Sequence, residues 1–272
     1  MLGGPWALAV PGEGEADSSS PIATPDQAVA GFAIPSDFRV ELFAAEPELA
    51  NPVAFAIDER GRVFVCETFR QGHGVSDNRG QTREWVDADL ASQSVADREA
   101  YHRRLLGPKL PDWELHDDRV RLLVDRDRDG RADESTVYAA GFNRLIDGTA
   151  AGLLARHGDL FLTCIPALYR LRDLDGDGQI ARSGLEREVL SEGYGCRVAF
   201  RGHDLHGLVL GPDCRLYFTI GDRGYQVEHA GGVAAEPGRG AVFRCRPDGS
   251  EFEVFATGLR NPQELAFDDL GN

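Results

Sequence analysis

Apolar and polar positions along this chain fall into a recurring rhythm: two short runs of aliphatic, β-branched or aromatic residues, separated by turn residues. That pattern predicts β-hairpins. One spans 53–57 and 63–67 around Asp58-Glu59-Arg60-Gly61, and a second spans 152–155 and 159–163 around Arg156-His157-Gly158. A third spans 208–210 and 216–220 around Gly211-Pro212-Asp213-Cys214, and a fourth starts at 264–267 with the turn Asp268-Asp269-Leu270-Gly271. The turns fall near 59, 157, 212 and 270, so the first interval is about two of the others. Several strands per period of roughly 40 to 50 residues predict an all-β chain of the β-propeller class. About four blades of a six- or seven-bladed ring are expected here. The fourth hairpin stops inside its turn, so the chain is expected to be a fragment of a longer protein.

A second repeat supports this reading. Asp125-Arg126-Asp127-Arg128-Asp129-Gly130 returns as Asp173-Leu174-Asp175-Gly176-Asp177-Gly178, each time followed by a strand-like run. Residues 39–44 alternate like a half-buried strand. Between about 70 and 118 the rhythm breaks, and 85–106 is helix-friendly, with Val95, Tyr101 and Leu105 expected on one face. A helical insertion of this kind is expected to cover one mouth of the propeller.

Composition narrows the partners. The formal charge of -16 argues against nucleic acid or an anionic membrane. No apolar run approaches the roughly 18 residues of a membrane span. The first ten residues are apolar without a basic start, like the remnant of an export signal, and Ser, Pro, Gly and acids then mark a flexible linker to about residue 30. The folded propeller is expected over 31–272, in an exported, periplasmic or envelope-associated protein. Five cysteines form neither C-x-x-C nor C-x-x-C-H, and Cys66 and Cys164 read as small buried hydrophobes.

Three groups of residues carry candidate chemistry. His203 and Asp222 flank the third hairpin at equal distances from its turn, so antiparallel pairing brings them together, and a carboxylate-oriented imidazole is a usual general base. Histidines near turns also cap backbone, and that alternative stands beside it. The acidic repeats have the ligand order of calcium loops: Asp125, Asp127, Asp129, the Arg131 carbonyl and Asp133 in the first, and Asp173, Asp175 and Asp177 in the second. The second has Ala181 where the first has Asp133, and a solvated acidic turn is the competing reading for both. Arg260 and Asn261, before Pro262, sit on a loop expected at the same end of a blade as His203.

The combination H-x8-P-D-x6-I-G-D followed by G-L-R-N-P-Q-x-L-A-F resembles the soluble quinoprotein glucose/sorbosone dehydrogenases, six-bladed propellers that bind pyrroloquinoline quinone. From about Gly31 the chain is similar to the N-terminal propeller of planctomycete-type membrane-bound dehydrogenases, which continue into further blades, helical repeats and a c-type haem domain. The resemblance implies a dehydrogenase acting on a sugar or alcohol. His203 would be the base, Asp222 its orienting partner, and Arg260 and Asn261 the quinone contacts. Electrons would pass to the quinone and then to a c-type haem domain or cytochrome. His206 replaces a small residue of that family, and the family's later quinone contacts and its calcium site beside the quinone have no counterpart here. A non-catalytic propeller binding carbohydrate or protein is the alternative.

Overall fold

The computed structural model describes residues 23–272, which divide into two units after Leu42. The expected export signal lies outside the described residues. Part of the expected linker is the short helix α1 (Pro25–Ala30): Thr24 Oγ1 accepts from the Gln27 amide, Gln27 Oε1 accepts from the Thr24 amide, and Pro25 opens the first turn. No strand forms at 39–44, which has no ladder partner among the described residues.

The second unit is a β-propeller segment of three four-stranded antiparallel blades. The first contains β1 (Pro52–Ile57), β2 (Val63–Glu67), β3 (Asp118–Val124) and β4 (Glu134–Phe142). The second contains β5 (Ala150–Arg156), β6 (Asp159–Cys164), β7 (Ala167–Leu171) and β8 (Arg187–Glu192). In the third, β9 (Leu205–Leu210) and β10 (Leu216–Ile220) are followed by a separate hairpin, β11 (Tyr225–His229) and β12 (Gly232–Glu236). The blade then closes with β13 (Gly240–Cys245) and β14 (Glu253–Leu259). The inner strands β1, β5 and β9 lie side by side, and the core fills the gaps between blades. Phe64, Val120 and Tyr138 meet Leu162 and Tyr169 in one gap, and Phe161 and Leu168 meet Phe218 and Phe243 in the next.

The long first interval between turns is not a further blade. It is the insertion, which leaves blade one after β2 and returns at β3. The expected single helix splits into α2 (Arg83–Ala91) and α3 (Val95–Leu106), followed by α4 (Leu110–Trp113). The break comes at Ser94, whose hydroxyl accepts from the Asp97 amide and caps α3. Tyr101 is buried as expected, whereas Val95 and Leu105 are only half-buried.

The fourth hairpin is present as a turn without a ladder. Residues 260–267 have no strand pairing, yet the turn that follows repeats the first. Asp268 N donates to Asn272 O and Gly271 N to Asp268 O, as Asp58 N does to Arg62 O and Gly61 N to Asp58 O. In both turns the Asp carboxylate also accepts two amides, those of Leu270 and Asn272 or of Arg60 and Arg62.

Candidate functional site

The third hairpin begins with Leu210 opposite Leu216 and Val209 opposite Tyr217, then slips so that His206 faces Thr219 and Leu205 faces Ile220. The slip is a bulge in β9 around Gly207, whose φ of 62° suits glycine. Beyond the bulge, His203 comes opposite Asp222, and His203 Nδ1 donates to Asp222 Oδ1 at 2.5 Å. The His203 side chain is 9% exposed and that of Asp222 25%. A Cβ at Gly221 would stand 2.7 Å from the His203 Cβ, so the glycine of I-G-D makes room for the imidazole. The second ring nitrogen, Nε2, has no partner among the described residues. His206 is spent locally, its Nε2 bonding to Gly202 O at 3.1 Å.

Arg260 occupies the place in the next repeat that His203 holds in blade three. Thr163 of β6 donates to Leu205 O at 2.8 Å, and Thr219 of β10 donates to Pro262 O at 2.7 Å, so Pro262 stands where Leu205 stands one blade earlier. Arg260 precedes Pro262 by the same two residues by which His203 precedes Leu205. Its backbone lies at the end of blade three where β10 finishes, since a Cβ at Gly240 would touch both Ile220 O and Arg260 O. Arg260 is exposed and has no side-chain partner among the described residues, while Asn261 Oδ1 is enclosed with no hydrogen bond.

Neighbours absent from the sequence reading complete this end. Asp204 and Arg223, each next in sequence to a member of the pair, form a buried ion pair, with Arg223 Nη1 3.3 Å from Asp204 Oδ1. The insertion packs on the loop before His203. Ser92 Oγ donates to Cys196 O, Asp89 accepts from the Val198 amide, and Asn78 N donates to Ala199 O. The Phe200 ring lies edge-on to His203 with centroids 5.7 Å apart. Arg223 next to Asp222 was a visible sequence signal, but its partner Asp204 is identified only by tertiary packing.

The acidic loops lie at the opposite end of the blades, at the β3–β4 and β7–β8 connections. In the first, Asp125, Asp127 and Asp133 each offer an oxygen within 4.8 Å of the others. Asp129 is not in this group, and its carboxylate accepts the Arg131 amide. In the second, Asp173, Asp175 and Asp177 converge in the same way. Glu186 takes over a hydrogen bond of Asp133, accepting the Leu174 amide just as Asp133 accepts the Arg126 amide, but its carboxylate is not among the three that converge. Each loop is also tied to what precedes it, Ala132 N to Phe43 O and Ile180 N to Tyr138 O.

Fold and site together define a β-propeller segment with an enclosed His–Asp pair and an unpaired arginine one repeat further on. The chain belongs to the family described as a domain of unknown function, DUF7133, whose model matches residues 24–272. No curated protein matches it in sequence. Among solved structures it is similar to a candidate oxidoreductase (glucose dehydrogenase) from Thermus thermophilus, with 22% identity and a TM-score of 0.41. The match covers 81% of this chain and 56% of that one, so the chain spans just over half the length of that protein. No helix among the described residues is long and apolar enough to cross a membrane.

Proposed function

We propose that this chain contributes part of the active site of a quinoprotein-type dehydrogenase that oxidises the hydroxyl or hemiacetal carbon of a sugar or alcohol. The observation that carries the reading is the His203–Asp222 pair, with Nδ1 held by a carboxylate and Nε2 left without a partner in a nearly enclosed ring. In that arrangement Nε2 takes the proton of the substrate hydroxyl while Asp222 fixes the tautomer and stabilises the imidazolium.

Arg260 and Asn261 are the residues that would hold pyrroloquinoline quinone. An exposed guanidinium without a partner and an enclosed, orphaned amide oxygen suit a polar, anionic ligand. When bound, the quinone supplies the two-electron acceptor for the substrate hydride. Onward transfer falls to a c-type haem domain or cytochrome.

Calcium has a separate role in this proposal. The two acidic loops lie away from His203, so ions bound there would brace the blades rather than act on substrate.

The test is turnover of the intact protein supplied with quinone, sugar and a dye acceptor. His203→Asn should bind quinone nearly as well as the parent yet lose at least about a hundredfold in turnover, the lower range for removal of a general base. An unchanged rate in that variant ends the assignment of His203.

A further inference from the structure

We infer that a second site, in the helical insertion, takes the carboxylate of a sugar acid and sets the substrate class of the reaction proposed at His203. Only that link to turnover rests on the dehydrogenase reading; the binding itself does not. The insertion holds a cavity of about 240 Å³ lined by Ser76, Asp77, Arg79, Gln81, Trp113 and Arg201. That is smaller than the roughly 300 Å³ at which drug-sized sites begin, so it fits one sugar ring and not a chain.

Its charge is set by one acid and two bases. The Asp77 carboxylate is buried and accepts the Arg79 amide at 2.7 Å, the Arg79 guanidinium at 2.5 Å and Arg201 Nε at 3.5 Å. Burial works to raise the Asp77 pKa, but the bonds from Arg79 and Arg201 outweigh it and keep the group ionised. Two guanidinium ions on one carboxylate leave a net single positive charge at the cavity. Both arginine side chains are about half exposed or more, so each fork keeps donors for a ligand.

A single excess charge presented by planar forks matches a monoanionic carboxylate. A dianion would remain undercompensated in a chain of formal charge -16. The rest of the lining is neutral and suited to hydroxyls. Gln81 Nε2 donates to Ser76 Oγ at 2.8 Å, which leaves the Gln81 carbonyl as an acceptor, and Trp113 adds aromatic surface.

The cavity is also wired to the His–Asp pair. Arg201 precedes His203 by two residues, Arg79 lies 5.5 Å over the Phe200 ring, and that ring contacts His203. A sugar acid held by Arg79 and Arg201 would therefore be separated from the proposed base by the Phe200 ring, His203 itself lying outside the cavity lining.

The experiment is calorimetric titration of the full chain at physiological salt with sodium D-glucuronate, D-glucose and sodium sulfate. Glucuronate should bind at least tenfold more tightly than the other two. Arg201→Gln should weaken it about tenfold or more, the size of one charge-assisted hydrogen bond, with the parent's far-ultraviolet spectrum showing the fold retained. His203→Asn should bind glucuronate like the parent. Absence of glucuronate binding, or equal binding by Arg201→Gln, overturns the site. Sulfate binding as tight as glucuronate overturns the sugar-acid assignment. Retained binding with no turnover under any condition would sink the dehydrogenase reading and leave this site standing.

Discussion

His203 and Asp222 face each other because β9 carries one residue more than β10 on the way to them. In the register set at Leu210 and Leu216, Asp222 would lie opposite Asp204, and two carboxylates would be juxtaposed in place of an imidazole and a carboxylate. The bulge around Gly207 moves the register by one and creates the pair.

Gly207→Ala should therefore act on the pair from a distance. The left-handed φ disfavours any side chain, and the new methyl would stand 2.9 Å from Gln263 O and 3.0 Å from Thr219 Oγ1. A loss of about 1–3 kcal/mol is expected, the usual range for one strained backbone position. The His203 Nδ1–H resonance, shifted downfield by its carboxylate in the parent, should broaden or disappear. A variant with the parent's melting temperature and an intact resonance would show that the bulge does not align the pair.

Much of this was legible in the sequence, and the parts that were not share a cause. Paired apolar runs joined by turns rich in Asp, Gly and Pro announce hairpins because a half-buried strand and a tight turn are local requirements. The equal spacing of His203 and Asp222 about their turn was also local. That one strand would bulge was marked only by Gly207. The insertion was legible as helix but not its break, since a serine cap such as Ser94 outweighs the helix propensity of 85–106 only in the folded geometry. Glu186 and the Asp77–Arg79–Arg201 cluster were invisible because tertiary packing brings their members together across segments whose spacing carries no motif.

Thr163 should act as a staple between blades two and three. Its hydroxyl, fully buried, donates to Leu205 O at 2.8 Å. Thr163→Val keeps shape and volume but leaves a buried carbonyl without that donor, at a cost of about 1–3 kcal/mol. Thr163→Ser should retain most of the bond. Equal chemical denaturation midpoints for the valine and serine variants would show that the hydroxyl contributes nothing.

Calcium should raise stability. With the weak affinity of sites having few ligands, 10 mM ion stands at roughly 10 to 100 times Kd, worth about 1.4–2.7 kcal/mol and roughly 3–10 °C in melting temperature. Asp127→Ala should remove the part of that gain due to the first loop and Asp175→Ala the part due to the second. Magnesium at the same concentration should give less, since it loses its water reluctantly. A melting curve unmoved by calcium would favour solvated acidic turns.

The insertion should loosen in acid, and His102 is the reason. Its ring is 2% exposed, stacked on Trp85 at 4.9 Å with edge contacts to Tyr101 and Trp113, and neither ring nitrogen has a partner among the described residues. Burial, reinforced by the nearby Arg98 and Arg223 cations, drives its pKa well below the ordinary histidine value. Asp89, the nearby carboxylate, is committed to Tyr101, Asn78 and the Val198 amide. The unfolded insertion therefore binds a proton that the folded one refuses. Its stability is complete above the unfolded value near 6.5 and is lost progressively as pH falls below it toward the depressed folded value. The fluorescence of Trp85 and Trp113 should report this as pH falls below about 6.5, with the far-ultraviolet β signal unchanged. His102→Phe should abolish the response. An identical acid transition in that variant would assign the effect to other groups.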